Sequence, residues 1–268
     1  MDNAATTPVS PAVLEKMLPY FSECYGNANS IHSTGLDARK ALNAARKKVA
    51  AALNCNPEEV YFTSGGSESD NWALKGVAFA NRKKGNHIIT SAIEHHAILH
   101  TCEWLEKQGF EITYVPVDAD GLVNPADVEA AITDKTILIS IMAANNEIGT
   151  IEPIEEIAKI AHAHHVLFHT DAVQAIGAIP VDVRAIGCDL LSLSGHKFHG
   201  PKGVGALYIK QGTRIDNLIH GGAQERGRRA STENVAGIVG MAEAIELATA
   251  NIPEKAARIS ALRDQLID

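Results

Sequence analysis

Cysteines are scarce in this sequence, and the few present lie far apart. Four occur among 268 residues, and no two of them form a C-x-x-C pair. Because the cysteines are few, widely separated and without a C-x-x-C pair, the sequence indicates neither a zinc site nor a disulfide framework and favours buried, reduced thiols and a cytoplasmic protein. The four are Cys24, Cys55, Cys102 and Cys188.

Long apolar runs and basic blocks are absent as well. No stretch approaches the roughly 20 apolar residues of a membrane-spanning helix, and Met1-Asp2-Asn3 lacks the positive charges that open a secretory signal. Lysine and arginine total 24 against 32 aspartates and glutamates, which gives a formal net charge of −8, and the densest basic spot is Arg226 to Arg229. The chain is therefore expected to bind neither a membrane nor a nucleic acid.

What the sequence does contain is an alternation of short apolar runs with longer helical segments. Hydrophobic residues make up 46% of the chain, enough for an ordinary buried core. The alternation predicts an α/β protein with a parallel sheet and helices on both faces. The predicted strands are 59–63, 87–90, 111–115, 136–141, 166–170, 189–193 and 206–209, and the predicted helices are 11–21, 34–53, 68–81, 125–132, 153–165, 235–250 and 254–268.

Lys197 lies in a glycine-rich turn between two of the predicted strands. The stretch from Asp189 to Lys210 reads DLLSLSGHKFHGPKGVGALYIK. Glycines and apolar neighbours would strip water from the Lys197 amine, which lowers an amine's pKa toward the range where it is nucleophilic and forms a Schiff base. A lysine considered alone is more often a solvated surface residue, so this hypothesis needs support from elsewhere in the chain.

Asp171 supplies that support. It ends the run VLFHTD, and a helix-like start follows at Ala172 to Gln174. The interval of 26 residues to Lys197 (197 − 171 = 26) allows a crossover and a return strand, so the two side chains are expected at the carboxyl ends of neighbouring parallel strands. A lysine and a carboxylate so placed match pyridoxal phosphate, which needs an amine for its aldehyde and an acid that keeps its ring nitrogen protonated.

A glycine-rich turn also follows the first predicted strand. Ser64-Gly65-Gly66-Ser67 leads from EVYFT into a helix. Glycines that turn tightly, free N–H groups at the helix start and the Ser67 hydroxyl together form an anion site suited to a phosphate. An ordinary glycine turn with a serine N-cap explains the same residues, and the local sequence leaves both interpretations open.

Histidines cluster after the strand at 87–90. His87, His95, His96 and His100 raise the question of a metal site. Adjacent histidines on an extended segment point to opposite sides, however, and no acidic ligand repeats at metal-site spacing. The sequence therefore predicts no metal.

Seven motifs follow one another along almost the whole chain. They are DNAATTP at 2–8, TSGGSESDN at 63–71, EHHA at 94–97, NNEIGT at 145–150, HTDAVQ at 169–174, SGHKFHGPKGVG at 194–205 and QERGRR at 224–229. In these motifs the chain resembles the cysteine desulfurases of the NifS/IscS type, within the class V aminotransferase group. The resemblance implies a pyridoxal-phosphate-dependent transferase of fold type I, with a mostly parallel seven-stranded sheet. It also implies conversion of L-cysteine to L-alanine, with sulfur passed on as a persulfide for iron–sulfur cluster assembly.

The resemblance assigns roles to individual residues. Lys197 carries the cofactor, Asp171 pairs with its ring nitrogen, and His95 stacks on the ring and transfers protons. Thr232 touches the cofactor phosphate of the partner subunit, which implies a homodimer, and Ser231 beside it stands where many relatives have glycine. Further cofactor contacts are implied at Gly66, Ser67, Asn146, Gln174, Ser194 and His196.

The resemblance also implies a division into domains. Residues 1–12 belong to the N-terminal part of a small domain, 13–252 to the large cofactor-binding domain, and 253–268 to the start of a small domain that is otherwise missing. The family's nucleophilic cysteine and the arginine for the substrate carboxylate are expected beyond residue 268. A sulfur-acceptor or scaffold protein is an implied partner. Three alternatives stay open: a selenocysteine lyase, another class V aminotransferase activity, and a non-catalytic fragment that binds cofactor or a partner subunit.

Overall fold

Seven strands form one sheet in the order β1-β7-β6-β5-β4-β2-β3 in the computed structural model, which describes residues 2–267. Every neighbouring pair is parallel except the two that involve β7, which runs antiparallel to both β1 and β6. The predicted mostly parallel seven-stranded sheet is therefore confirmed. In chain order the strands are β1 Val60–Thr63, β2 His87–Ser91, β3 Glu111–Val115, β4 Thr136–Ser140, β5 Leu167–Asp171, β6 Leu190–Ser194 and β7 Gly205–Ile209.

Four of the helices begin directly after a side chain that caps them. Ser10, Asn124, Asp182 and Asn234 each accept a backbone N–H from the first turn of the helix that follows, which satisfies a donor that has no partner within the helix. The helices are α1 Pro11–Met17, α2 Pro19–Ser22, α3 Ser33–Leu53, α4 Gly66–Asn81, α5 His96–Glu106, α6 Pro125–Ala131, α7 Ile154–Ala163, α8 Val183–Ile186, α9 Val235–Thr249 and α10 Ile252–Ile267.

The sheet has an apolar core on each face, as the alternation of elements predicted. Ile88 of β2 packs with α4 and α5 in one core, whereas its neighbour Ile89 joins the larger core with α1, α3, α7 and α9. Successive side chains of a strand point to opposite faces, so a strand covered on both faces is apolar along its whole length. This explains the short continuous apolar runs in the sequence.

Two local predictions were wrong. Residues 172–174 form a turn instead of a helix, because the Asp171 carboxylate accepts the Val173 N–H at 2.9 Å and gives the backbone an alternative to helical bonding. The predicted helix at 11–21 is interrupted and restarts as α2 at Pro19, whose ring cannot continue a helical ladder.

Two further expectations concern the chain as a whole. Among residues 2–267 no single helix is long and apolar enough to cross a membrane, and only α9 and α10 together, bent by 74°, meet the length and composition of a span. The division into domains at residues 12 and 252 stays a prediction.

Candidate active site

The carboxyl ends of the parallel strands open on one cleft of about 280 Å³. In a parallel α/β sheet this edge is where ligands bind, because the connecting turns converge there. The turns that follow β1, β2, β4, β5 and β6 all contribute to it. The cleft is lined by Ala5, Gly66, Ser67, Asp70, His95, Met142, Ala144, Asn146, Asp171, Val173, Gln174, Ser194, His196 and Lys197.

Lys197 is held at this cleft by the turn between β6 and β7. Gly195–Lys197 forms a single 3-10 turn directly after β6, so the lysine lies in the strand-to-strand corner that the sequence predicted. Its Nζ donates to the carbonyl oxygens of Ala4 at 2.5 Å and Ala5 at 3.1 Å. Burial lowers the pKa of the Lys197 amine, and the negative charge of Asp171 partly opposes this shift. The amine is thereby brought closer to its neutral, nucleophilic form.

Asp171 stands at the end of β5, beside Lys197 as predicted. It pairs in parallel register with Ser192 of β6 and is only 5% exposed. Burial raises the pKa of its carboxyl to about 6, against the lowering effect of the Val173 N–H and of Lys197. A buried carboxyl of this kind is stabilised in its charged form when a positive charge is brought against it.

Asp70 is a second buried carboxyl in the cleft, and sequence reasoning missed it. It is 1% exposed, and its Oδ1 has no hydrogen-bond partner among the described residues. Burial, and then the charge of Asp171, raise the Asp70 pKa. The helical spacing of its neighbours could have indicated that Asp70 is buried, because positions 66, 69, 70, 73 and 77 of α4 lie on one face of the helix and are buried. An aspartate on this buried face is unusual, because acidic side chains are rarely buried in proteins.

His169 lies behind these two acids on β5. Its Nε2 is 3.8 Å from Asp70 Oδ1 and 3.0 Å from the hydroxyl of Ser192. Burial lowers the pKa of this histidine to about 3, so the ring is neutral at physiological pH. The two acids therefore have no cationic histidine behind them, and Lys197 is the cation that shares their cleft.

The turn between β1 and α4 has the geometry expected of an anion site. Gly65 has φ 154°, a value that side chains rarely tolerate. A Cβ on Gly66 would lie 2.7 Å from the Val173 side chain, so this position also requires glycine. The first N–H groups of α4 have no partner within the helix, and Gly66 and Ser67 line the cleft. The turn thus presents donors and the positive end of a 16-residue helix.

His95 enters the cleft from the start of α5. Its Nδ1 accepts the Ala97 N–H at 3.1 Å, which leaves the proton of the neutral ring on Nε2. Burial, and then the positive charges of His96 and Lys197, lower the pKa of His95. The ring is therefore neutral near pH 7, and its Nε2–H is a hydrogen-bond donor, while Nδ1, which accepts the Ala97 N–H, is its basic nitrogen.

Four of the other predicted residues also line the cleft. Ser194 precedes the lysine turn and His196 lies within it, while Asn146 and Gln174 follow β4 and β5. Desolvation, and then the charge of Lys197, lower the pKa of His196. Together with Lys197, Asp171, His95 and the glycine turn, these residues form one constellation.

Thr232 is the predicted site residue that lies outside the cleft. It is exposed and follows the segment 224–231, which contacts β1. Ser231 has φ 127°, in the region that favours glycine. The backbone of Ser231 is therefore strained.

Residues 2–10 lie against the lysine turn. Both the N–H and the hydroxyl of Thr7 donate to the His196 carbonyl, at 3.0 and 2.8 Å. The Gln174 amide donates to the Ala4 carbonyl at 3.0 Å. The N-terminal segment thus holds the turn and covers one side of the site.

Metal ligands and reactive thiols are not gathered at the cleft. Within residues 2–267 no group of three or more His, Cys, Asp or Glu side chains is arranged to hold a metal ion. None of the four cysteines lines the cleft. Cys102 and Cys188 are buried, and Cys24 is exposed. Burial raises the thiol pKa of Cys55 and of Cys102 to about 12, which disfavours their nucleophilic thiolate forms.

Sequence comparison identifies related proteins along the whole chain. The profile of the family described as Aminotransferase class-V matches residues 1–268. A protein named cysteine desulfurase IscS from Methanosarcina thermophila is 63% identical over 268 residues, which are 100% of this chain and 66% of that protein. A protein of the same name from Clostridium botulinum strain Hall is 61% identical over 267 residues, covering 100% and 67%. The chain thus spans about two thirds of the length of the curated relatives it matches.

Solved structures share the fold. A NifS-like protein superposes with a TM-score of 0.97 at 48% identity, over 99% of this chain and 73% of that one. A structure described as SspA in complex with cysteine superposes with a TM-score of 0.89 at 45% identity, over 91% and 71%.

Proposed function

The chain belongs to the class V aminotransferase family, and we propose that it is the cofactor-binding part of a pyridoxal-phosphate-dependent cysteine desulfurase. Such an enzyme converts L-cysteine to L-alanine and transfers the sulfur as a persulfide. One observation carries the proposal: Lys197 and Asp171 line the same cleft from the ends of adjacent parallel strands. The names of the two relatives above 60% identity, and the cysteine in the SspA structure, support the substrate.

The residues of the cleft fit pyridoxal phosphate. Lys197 would hold the aldehyde covalently, Asp171 would pair with the ring nitrogen, and the turn at Gly66 and Ser67 would bind the phosphate. When bound, this cofactor supplies an electron-withdrawing ring that stabilises negative charge at the substrate's α-carbon. Asp70 and Asp171 give the cleft a buried acidic end, which a protonated ring nitrogen complements in charge.

The other cleft residues position groups and move protons. His95 is neutral and carries its proton on Nε2, so it would donate a hydrogen bond from Nε2, and it would take up a proton at Nδ1 once that atom releases the Ala97 N–H. Asn146 and Gln174 would bind polar edges of the cofactor or substrate through their amides. Ser194 and His196, which line the same cleft beside Lys197, would contact the cofactor.

Desulfuration also needs a mobile cysteine whose thiol ionises, because the thiolate is the nucleophile that accepts sulfur from the substrate. The buried thiols of Cys102 and Cys188 are unsuited to this, and none of the four cysteines lines the cleft. The proposal therefore assigns the sulfur-accepting cysteine to a position outside residues 2–267. From there the sulfur would pass to an acceptor protein in iron–sulfur cluster assembly.

A homodimer in the cytoplasm is part of the proposal. Apolar side chains are exposed between residues 14 and 36, among them Phe21, Tyr25 and Ile31 at 64%, 73% and 84%, which is typical of an interface. The amide of Asn29 within this region bonds Glu233, next to Thr232, so the same side carries the loop that would reach the partner. The four free thiols agree with a reducing compartment.

The function is tested by the products formed from L-cysteine. With the protein at the length of its relatives and a thiol reductant, we expect L-alanine and sulfide in equal amounts. Lys197→Ala should abolish both, whereas Lys202→Ala, an exposed lysine of the same connection, should retain them. Amino-group transfer to a 2-oxo acid without sulfide would contradict the proposal and indicate another class V aminotransferase activity.

A further inference from the structure

The segment Gln224–Arg229 covers the free edge of β1, the strand that leads into the glycine turn. β1 is the outermost strand of the sheet on that side, so its outer backbone groups have no neighbouring strand. Glu225 Oε2 accepts the Phe62 N–H at 2.9 Å, and Arg226 donates to the Val60 carbonyl at 2.9 Å. Side chains of this segment thus take the place of a strand partner.

A buried ion pair fixes the segment in this position. Arg46 of α3 donates through both terminal nitrogens to Glu225, at 2.8 and 2.7 Å, and the side chains are only 10% and 2% exposed. The backbone of Glu225 and Arg226 has φ values of 45° and 58°, which are unfavourable for non-glycine residues. Such strain persists only where surrounding contacts impose it, and the paired carboxylate supplies those contacts.

A second two-bond ion pair joins the segment to the glycine turn itself. Arg229 donates to both carboxylate oxygens of Glu68, at 2.7 and 2.9 Å, and both side chains are largely buried, 15% and 12% exposed. Glu68 also accepts the N–H and the hydroxyl of Ser64. Burial raises the pKa of Glu68, but the bonds from Arg229 and Ser64 outweigh it and lower the pKa overall. The carboxylate is therefore charged, in the first turn of α4 and one residue after Ser67.

A negative charge at this position acts on the neighbouring anion site in two ways. By accepting the Ser64 N–H and hydroxyl it fixes the shape of the turn. Its charge, however, would repel a phosphate at the start of α4, where the helix end otherwise favours an anion. Arg229 neutralises that charge and also lies three residues before Thr232.

We propose that Glu68 and Arg229 are positioning residues that couple the phosphate-binding turn to the segment carrying Thr232. The inference rests on the proposed function for the identity of the anion, a cofactor phosphate, whereas the coupling itself rests on the ion-pair geometry. Arg229 screens the phosphate from Glu68, and the pair places the turn and the segment as one unit.

The coupling is tested with pyridoxal phosphate and with pyridoxal, which lacks the phosphate. Arg229→Gln leaves a charged Glu68 beside the phosphate, so we expect its affinity for pyridoxal phosphate to fall by about tenfold or more. Glu68→Gln removes the charge and keeps an acceptor for Ser64, so its loss should be roughly threefold or less. The double variant should resemble Glu68→Gln, because without the charge of Glu68 the loss of Arg229 leaves no unneutralised carboxylate near the phosphate. Pyridoxal affinity should stay within about twofold in all three.

Glu243→Gln is the matched control, since it breaks a partly buried pair between Glu243 of α9 and Lys48 of α3 that does not involve the turn. It should leave both affinities unchanged. Equal losses for pyridoxal and pyridoxal phosphate, or losses that add in the double variant, would overturn the proposal because they indicate general destabilisation.

Hydrogen–deuterium exchange tests the coupling without cofactor. Arg229→Gln should speed exchange in both 64–68 and 224–232, and Glu243→Gln in neither. Faster exchange confined to 224–232 would overturn the coupling. Faster exchange in both segments of a protein that binds no pyridoxal phosphate would support the coupling and refute the proposed cofactor site instead.

Discussion

At the scale of single residues, the charge of Asp171 is set by two opposing influences. Burial raises its carboxyl pKa to about 6, whereas the Val173 N–H and the Lys197 amine act to lower it. Asp70 stands nearby with an unpaired oxygen among the described residues. A cation such as a protonated ring nitrogen, placed against these carboxyls, would therefore stabilise their charged forms.

Replacement of Asp171 by Asn tests this role. The amide keeps the size of the side chain but carries no charge, so we expect affinity for pyridoxal phosphate to fall by roughly tenfold or more. A spectroscopic titration measures the dissociation constant, and Asp120→Asn, on an exposed aspartate, serves as the control. Equal affinity in Asp171→Asn and the unsubstituted protein would refute the ring-nitrogen pairing.

Glu94 predicts a pH dependence of stability. Burial first, and then the charges of Asp171 and Glu152, raise its pKa from 4.5 to about 8, despite bonds from Met142 and Ser91 that lower it. The folded state therefore holds a proton that the unfolded state loses. The contribution of Glu94 to the free energy of unfolding is therefore complete below pH 4.5. It decreases as the pH rises toward 8, by at most about 1.4 kcal/mol per pH unit.

Glu94→Gln should flatten this decline, since the amide does not titrate. Urea unfolding of the purified protein between pH 4.5 and 8 measures it, with Glu103→Gln on the exposed side of α5 as the control. Asp171, Asp70 and Glu152, whose pKa values are also raised, contribute to the decline that remains, whereas the lowered pKa values of the histidines oppose it. An unchanged slope in Glu94→Gln would contradict a protonated Glu94.

Sequence reasoning located the residues that stand at strand ends but not those that act from within a helix. Lys197 and Asp171 each follow an apolar run, so the parallel-sheet rule alone predicts that they meet. Asp70 lies in the middle of α4, where only the helical phase of the neighbouring buried residues indicates that it faces inward. Its partners, Asp171 and Ser192, are more than 100 positions away in sequence, a distance that periodicity does not bridge.

At the scale of elements, strands were easier to predict than the turns between them. Runs such as Leu190–Ser194 are buried on both faces, so their composition marks them. The turn after β5 was mispredicted, because a single side-chain bond from Asp171 to the Val173 N–H outweighs the helical preference of the residues that follow. The mispredicted turn is thus one in which a residue of the site, Asp171, also determines the backbone conformation.

Gly205 is a residue at which β7 closely approaches both β6 and the glycine turn. A Cβ there would lie 2.6 Å from the Leu193 carbonyl oxygen and 2.7 Å from Gly65 Cα, so alanine would force β7 away from β6 and from the glycine turn. We expect Gly205→Ala to destabilise the protein by about 2 kcal/mol or more and to weaken phosphate binding. Denaturant unfolding measures the first effect.

Gly222→Ala is the control for Gly205→Ala, because its Cβ would meet only the Gln224 side chain, which is held by one hydrogen bond from the Ser231 N–H and can adopt another rotamer. It should cost less than about 1 kcal/mol. Equal losses in the two variants would contradict the close approach of β7 to the turn.

At the scale of the whole molecule, the segment 224–234 is expected to complete the partner's site. We predict a homodimer in which Thr232→Ala lowers affinity for pyridoxal phosphate by roughly tenfold or more, the effect of one lost hydrogen bond to a charged group. Thr232→Ser keeps the hydroxyl and should retain the affinity. Light scattering measures the mass; a monomer that binds the cofactor at full strength would contradict the shared site.

The most direct test of the account is the chemical identity of the cofactor-bearing lysine. The protein is incubated with pyridoxal phosphate, reduced with borohydride and mapped by peptide mass spectrometry. The account predicts a phosphopyridoxyl group on Lys197, absent in Lys197→Ala and retained in Lys202→Ala. A label on another lysine, or on none, would contradict the assignment of this cleft as the cofactor site.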